Sequence, residues 1–421
     1  MRITQVLNRQ HIGFMFKKHW LVQGKRVPLD TKVEEYLKSQ NITVEDALEF
    51  VKEKPEEHER LTIIGAYEKP LPQDTNHPNY KERPCYTINS NNVLLEGISQ
   101  AQVLTKTVIA ENKLPSRVEE MAELEIPSMI HDGVKKAILS ANVFDCEQKK
   151  LPKQKDPQRP AYNFARILGI TDRRKNTILT NKLLQLAEKS CDIDTSRSKY
   201  VINDIPCHTT FEKDQELLQF QEISNILVSA EKPLKHDVSE NIQFLQIPDL
   251  YPVKHTITML PQHFYEENSN YRNIKAFFFV VTAIKKTVSK VHPHTTWLHF
   301  NTTEVANLYE EPVTHAQQLG RGLTHAFTIA ASYAKQLHGE NVKDLPEPVF
   351  INCIHTDGQM FHFGVFELRT LDLDGSGGTK NVWYTKNDMK LYETSKYFSA
   401  MPVLEKYNPK IYGYINAMYN S

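Results

Sequence analysis

Residues 345–369, with the sequence LPEPVFINCIHTDGQMFHFGVFELR, carry the clearest folding signal of the chain. Two apolar runs, 348–354 and 359–369, flank the dipeptide Asp357-Gly358, and both runs are rich in β-branched and aromatic residues. Such residues favour strands, and Asp-Gly between two apolar runs is a strong short-range signal for a β-hairpin. The sequence therefore predicts two antiparallel strands joined by a tight turn.

A helix is predicted immediately upstream of this hairpin. Thr314 and Gln317 have the spacing of a capping box, an apolar face follows, and Gly339 provides a stop. Gly320 and Gly322 lie inside this helix, where glycine weakens helical structure. Their presence predicts that another element closely approaches the helix backbone there.

The other elements divide between the two halves of the chain. Apolar spacing predicts helices at 98–108 and 129–141, and a third helix capped by Asn176. In the second half, strands are predicted at 199–203, 217–220, 276–284 and 381–384. The predicted fold class is α+β, with a helical N-terminal half and a C-terminal half in which an antiparallel β-hairpin and meander pack on helices.

Four segments are predicted along the chain. A basic N-terminal arm and helix cover 1–70, and a helical segment covers 71–148. A basic, proline-rich linker covers 149–165, and an α+β domain covers 166–421.

Composition limits the possible functions. The 421 residues include 51 basic and 51 acidic side chains, so the net charge is about zero, whereas proteins that wrap nucleic acid by charge alone are strongly basic. The five cysteines form no CxxC pair, so neither a disulfide scaffold nor a zinc site is predicted. No apolar run reaches the roughly 20 residues that span a bilayer. We expect no cofactor, no metal and no membrane span.

The first 29 residues contain several arginines and lysines, and no acidic residue precedes Asp30. A basic, amphipathic, acid-free start is typical of a mitochondrial transit peptide. Two other interpretations remain open: an ordinary basic arm on a cytosolic protein, and an arm that is kept after import and binds RNA phosphates.

Polar residues around the hairpin suggest an alternative function, a metal-dependent nuclease or hydrolase. The candidate ligands are His355, Asp357, His362, Glu367, Asp372 and Asp374, with His292, His294 and His299 upstream. Strand geometry argues against this site, since His362 and Glu367 are separated by an odd number of residues and should face opposite sides of a strand. Asp357 has a simpler role as a turn residue before Gly358. We therefore expect no catalytic residue and no enzyme activity.

Basic clusters in arms and loops favour contact with RNA, because mobile cations within reach are sufficient to bind backbone phosphates. The candidates are Lys17, Lys18, Lys25, Arg26, Lys149, Lys150, Lys153, Lys155, Arg159, Arg173, Arg174 and Lys175. Trp20 and Tyr162 lie near them in sequence and could stack on unpaired bases.

Two blocks of sequence are informative: 77–108, which includes Pro84-Cys85-Tyr86, and 346–373, which includes Thr356-Asp357-Gly358. Both blocks resemble the mitochondrial large-ribosomal-subunit protein L37 family. The helix after Thr314 is similar more loosely, whereas 115–290 matches poorly and the first seventy residues hardly match.

The resemblance implies a structural subunit of the mitochondrial large ribosomal subunit, without catalytic residues and located in the mitochondrial matrix. The implied partners are large-subunit rRNA and neighbouring ribosomal proteins, including the related mitochondrial ribosomal protein S30/mL65. Lys106 lies off the apolar face of its predicted helix and could face such a partner or a phosphate. A non-ribosomal RNA-binding adaptor is the second alternative function.

Overall fold

The computed structural model describes the residues in the ranges 32–43, 75–77, 80–153, 155–156, 158–237, 246–249, 254, 256–265, 291–309, 311–399 and 401–421. They belong to two units divided after residue 71. In the first unit the described element is helix α1 (Val33–Ser39), where Lys38 pairs with Glu34 at 2.9 Å. The predicted strand at 276–284 lies outside these ranges.

The described helices of the second unit are α2 (Ile98–Thr105), α3 (Ser116–Ala122), α4 (Ser128–Asn142), α5 (Asp172–Ser190), α6 (Ile193–Arg197), α7 (His315–His338) and α8 (Pro409–Asn420). The strands are β1 (Tyr80–Asn89), β2 (Thr107–Glu111), β3 (Lys149–Lys150), β4 (Lys155–Asp156), β5 (Arg159–Asn163), β6 (Leu168–Gly169), β7 (Lys199–Lys213), β8 (Glu216–Ala230), β9 (Leu260–Phe264), β10 (His292–His299), β11 (Asp344–Thr356), β12 (Met360–Thr370), β13 (Asn381–Lys390), β14 (Thr394–Phe398) and β15 (Met401–Glu405).

A nine-stranded sheet forms the centre of the second unit. Its strand order is β2-β13-β12-β11-β10-β8-β1-β9, with β7 paired along β8. The β11-β12-β13 meander is antiparallel. At its first turn, Oδ1 of Asp357 accepts from the backbone N–H groups of Gln359 (2.8 Å) and Met360 (2.7 Å). The α+β class is therefore confirmed, and so is the hairpin that the Asp357-Gly358 signal predicts.

Side chains alternate between two hydrophobic cores, one on each face of the sheet. On β12, Phe363 and Val365 enter the core that is formed with α3, α4, α5 and α8. Phe366 enters the opposite core, which is formed with α2 and α7. The same alternation separates Ile354 from Cys353 on β11, as the period of two in a strand requires. Helices therefore cover both faces of the meander.

Helix α7 begins with the predicted capping box: Thr314 accepts from the backbone of Gln317, and the Gln317 side chain accepts from the backbone of Thr314. Gly339 is its C-cap, also as predicted. The predicted close approach is found at Gly320, where an added Cβ would lie 2.6 Å from the carbonyl carbon of Gly97. Gly97 has a φ of +59° and directly precedes α2. The two glycines let α2 and α7 pack backbone to backbone.

Several sequence-based expectations need correction. Asn176 is not a helix cap, because α5 begins earlier with Thr171 as its N-cap and Asn176 is buried inside it. Val108 lies in β2 rather than in the helix that ends at Thr105. The strands predicted at 199–203 and 217–220 belong to one long hairpin, β7-β8, in which fourteen register pairs join the two strands.

The first half of the described chain contributes strands as well as helices to the second unit. β1 and β2 belong to the central sheet, and β2 pairs in parallel with β13 near the end of the chain. The four predicted segments, 1–70, 71–148, 149–165 and 166–421, stay a prediction. None of the described helices is long and apolar enough to cross a membrane.

Candidate nucleic-acid interface

The basic, proline-rich linker folds into two short antiparallel pairs. β3 pairs with β6 through Lys149–Gly169 and Lys150–Leu168, and β4 pairs with β5 between them in sequence. We call residues 149–169 the basic arm. Its strands do not join the nine-stranded sheet, so the arm is a separate ribbon between α4 and α5.

The cations of the basic arm differ in their partners. Lys149 pairs with Glu147 at 2.8 Å, and Arg159 pairs with Asp156 at 3.0 Å. Lys150 and Lys153 are exposed, and no acidic partner lies within 4.0 Å of either among the described residues. Lys150, Lys153 and the exposed Arg166 are therefore cations of the arm that a phosphate can bind without breaking a described ion pair. Lys155, another predicted contact, has its side chain outside the described part of the structure.

Exposed aromatic rings accompany these cations. Tyr162 is 50% exposed and Phe164 is 47% exposed, and their rings meet edge to face at 5.5 Å. The Arg159 guanidinium lies 5.1 Å from the centre of the Tyr162 ring. An exposed ring beside a guanidinium offers a stacking surface of the kind that binds unpaired bases.

The candidates at the start of α5 are bound mainly to acids of the chain itself. Arg174 forms ion pairs with both Asp145 and Glu147, and its side-chain hydrogen bond lowers the pKa of Asp145. Lys175 pairs with Asp172 at 3.0 Å. Sequence reasoning treated Arg174 as a free cation because Asp145 and Glu147, which lie before the basic arm, could not be assigned to it without the fold.

Arg173, the remaining candidate in α5, lies at the edge of a polar cleft of about 560 Å³. It pairs with Glu304 at 3.7 Å. The cleft is lined by the two arginines Arg173 and Arg321, by His299, and by the asparagines Asn91, Asn176, Asn181, Asn203, Asn225 and Asn301. We call it the asparagine cleft. Sequence reasoning missed it, since its residues come from α5, α7, β10, the β7-β8 hairpin and the loops that follow β1 and β10.

Lys106 does not face a partner, contrary to the sequence-based expectation. It is 4% exposed, and its Nζ donates to the backbone carbonyls of Asp372 (3.0 Å) and Asp374 (2.9 Å). Lys213 donates to the carbonyl of Leu373 between them at 2.6 Å. Both lysines therefore stabilise the position of the segment 372–374, which follows β12. The candidates Lys17, Lys18, Lys25 and Arg26 lie outside the described residues.

Two of the residues proposed for a metal-dependent enzyme, Glu367 and His362, have other contacts. Glu367 accepts from Arg369 (2.6 Å) and from the Tyr384 hydroxyl (3.1 Å) on one face of β12. His362 lies on the other face, as predicted, where its Nδ1 accepts from the backbone of Asp388 at 3.3 Å. Within the described ranges no group of three or more histidine, cysteine, aspartate or glutamate side chains is arranged to hold a metal.

A second arrangement has the atoms of a catalytic triad. The Thr296 hydroxyl lies 3.1 Å from Nε2 of His325, whose Nδ1 lies 3.5 Å from a carboxylate oxygen of Glu222. Ser224 extends this chain of contacts to Thr296 at 2.7 Å. All four residues are at most 3% exposed, and none lines a described cavity that would admit a substrate. The contacts satisfy buried polar groups between β8, β10 and α7.

Comparison with known proteins identifies the relatives of this chain. No family model matches it. The chain is 28% identical over 334 residues to the large ribosomal subunit protein mL37 of the rat, Rattus norvegicus, covering 78% of this chain and 70% of that protein. The same protein of the mouse, Mus musculus, is 28% identical over 333 residues, and that of the chicken, Gallus gallus, is 27% identical over 338 residues, with the same coverage.

These matches agree with one another across species and extend over most of both partners, well beyond the two blocks that carried the sequence resemblance. The chain is therefore similar, over most of its length, to the large ribosomal subunit protein mL37 of several vertebrates.

Proposed function

We propose that this chain is a structural constituent of the mitochondrial large ribosomal subunit and that its basic arm contacts rRNA. Similarity to the mL37 proteins supports the first part, because the named relatives are large ribosomal subunit proteins. The location that follows is the mitochondrial ribosome. The second part rests on the geometry of the arm.

Three features of the basic arm support RNA as its partner. Lys150 and Lys153 are exposed and have no acidic partner among the described residues, so binding to phosphate breaks no ion pair of the protein. Tyr162 and Phe164 add exposed rings for stacking. Ile167 and Leu168, which are 61% and 65% exposed, follow these rings closely in sequence, and a group of exposed apolar side chains favours cover by a partner in the particle.

The balanced charge of the chain is consistent with this division of the surface. Arg174, Lys175, Lys149 and Arg159 are paired within the chain. A few unpaired cations at one ribbon are sufficient for local phosphate contacts. The rest of the surface is then available for water and for neighbouring ribosomal proteins. Pairing with the related S30/mL65 protein is part of the proposal and is supported by the family resemblance alone.

Sedimentation of mitochondrial extract tests the proposal. The wild-type chain should migrate with large subunits, and simultaneous charge reversal at Lys149, Lys150 and Lys153 should release part of it at moderate salt. The matched control replaces the same three lysines with arginine, which keeps the charge. Cross-linking within intact particles would identify the neighbouring proteins, including S30/mL65. A wild-type pool that never migrates with large subunits would contradict the proposal.

A further inference from the structure

The asparagine cleft has a buried cation on its floor. Arg321, in α7, is 6% exposed. Its Nε donates to the carbonyl of Ser90 at 2.8 Å, and its Nη1 donates to the carbonyl of His299 at 2.9 Å. These contacts use two of the five N–H donors of a guanidinium. The others are left for the cleft, which Arg321 lines.

No carboxylate of the described residues lies within 4.0 Å of this guanidinium. Glu222 attracts it from farther away and contacts His325 instead, at 3.5 Å. Burial disfavours the charged guanidinium and lowers the pKa of Arg321, although Glu222 and Glu304 attract it from a distance. A buried guanidinium that no carboxylate contacts is a favourable position for a bound anion.

The acidic groups of the cleft are at its rim. Glu304 is 46% exposed and is paired with Arg173, which is 69% exposed. Asp204 is also exposed. Water screens these rim charges, whereas Arg321 lies in a less polar environment where its field is stronger. The floor of the cleft is therefore suited to an anion even though the charges of the lining residues balance.

Amide side chains supply the second part of the site. An asparagine amide offers both donors and acceptors, and it pairs with the edges of nucleobases. Asn91 and Asn203 are exposed at the rim, and no described side-chain contact occupies either. A volume of about 560 Å³ is in the range of pockets that hold a ligand of nucleotide size.

The cleft also follows the basic arm closely in sequence. The arm ends with β6 at Gly169, and α5, which carries Arg173 and Asn176, begins at Asp172. The arm therefore ends only a few residues before the helix that supplies part of the cleft lining.

We propose that the asparagine cleft binds one nucleotide of an unpaired RNA segment, with its phosphate at Arg321 and its base edge at the asparagine amides. The proposal rests on the proposed ribosomal function and adds a second RNA contact to it. An RNA phosphate and free inorganic phosphate present the same anionic group to Arg321, so the test must distinguish these two ligands.

The test uses the full-length chain, a labelled oligouridine, and the substitution Asn203→Glu, which places a negative charge at the rim without removing a described hydrogen bond. We expect Asn203→Glu to weaken RNA binding about tenfold, because like charges oppose each other at the interface. The matched control, Asn203→Gln, keeps the amide and should bind like the wild type. The melting temperatures of both variants should equal that of the wild type.

Photo-cross-linking in intact large subunits gives an independent readout. A photoreactive residue at position 203 should cross-link to rRNA. Unchanged RNA affinity in Asn203→Glu, or cross-links from position 203 to protein alone, would overturn the proposal. Stabilisation by inorganic phosphate without an RNA cross-link would assign the cleft to a small anion and would also overturn it. Charge reversal in the basic arm separates the two proposals. If that variant loses RNA binding while Asn203→Glu binds like the wild type, the proposal for the cleft is refuted and the proposal for the arm stands.

Discussion

The central hairpin β11-β12 and the basic arm are both antiparallel ribbons, yet they are held in place by different forces. Phe363 and Ile354 of the hairpin are fully buried in a core that several helices close. Tyr162 and Leu168 of the arm are at least half exposed. The hairpin is therefore stabilised by the chain itself. The arm presents side chains that gain little from the fold, and its exposed surface is suited to a partner.

The largest expected effect is the loss of folding stability when a charge enters the hairpin. Phe363→Asp should lower the free energy of unfolding by about 3–5 kcal/mol, since it removes a buried ring and buries an unpaired carboxylate. The matched control is Phe398→Asp, since Phe398 is 63% exposed in β14. Urea denaturation measures both variants. A urea unfolding curve for Phe363→Asp close to that of the wild type would refute the assignment of this residue to the core.

A smaller loss is expected at the crossing of α2 and α7. Gly320→Ala forces a Cβ against the backbone of Gly97, so the helices must separate, at a cost of about 1–3 kcal/mol. Gly377→Ala is the control, because nothing lies within 4 Å of the added Cβ there. Thermal unfolding compares the two. Equal stability of Gly320→Ala and wild type would show that the close approach has no energetic role.

Acid should weaken the central sheet through buried histidines, chiefly through His294 of β10, the strand that pairs with β11 of the hairpin. Burial lowers the pKa of His294, which is 2% exposed, to about 3, and Lys199 lies 3.3 Å from its Nε2. The unfolded chain binds a proton near pH 6.5 and the folded chain does not, so stability falls as the pH drops below about 6.5, with a slope that approaches about 1.4 kcal/mol per pH unit at lower pH.

Urea denaturation at pH 7, 6 and 5 tests this dependence. His294→Gln removes the titrating group, so its free energy of unfolding should fall less steeply between pH 6.5 and 5 than that of the wild type. Burial also lowers the pKa of His236 and His299 to about 4, so a remaining slope is expected in the variant. Parallel slopes for the two proteins would contradict the role of His294.

The smallest effect on stability is expected in the basic arm. Tyr162→Ser should change the free energy of unfolding by less than about 0.5 kcal/mol, because the ring is half exposed. It should nevertheless weaken RNA binding, because stacking on one base is worth about 1–3 kcal/mol. Tyr397→Ser, at another exposed tyrosine, serves as the control. Equal RNA affinity of both variants would contradict the claim that the Tyr162 ring stacks on a base.

Local signals predicted the parts of the fold that local physics determines. The Asp357-Gly358 turn, the Thr314 capping box and the stop at Gly339 each depend on residues close in sequence. Gly320 was informative because glycine inside a helix has a cost that close packing explains. Asn176 shows the limit of this approach: it resembles a cap, but tertiary packing places it inside α5, where its amide donates to the carbonyl of Phe300.

Contacts between distant residues determined what could not be predicted. Lys106 looked like a surface cation, yet its partners are carbonyls 266 and 268 residues later in the chain. Arg174 looked available, but Asp145 binds it from 29 residues away. The asparagine cleft combines residues from many elements, so no spacing in the sequence reveals it. The arm was recognised because its basic residues are consecutive or nearly so.

The central claim is that the hydrophobic cores stabilise the fold of the chain and that the basic arm binds RNA in the large subunit. Amine-reactive labelling of intact large subunits, compared with the free protein, tests it most directly. The account predicts that Lys150 and Lys153 react more slowly in the particle, while Lys106 is unreactive in both states because it is buried. Equal reactivity of Lys150 and Lys153 in the particle and in the free protein would contradict it.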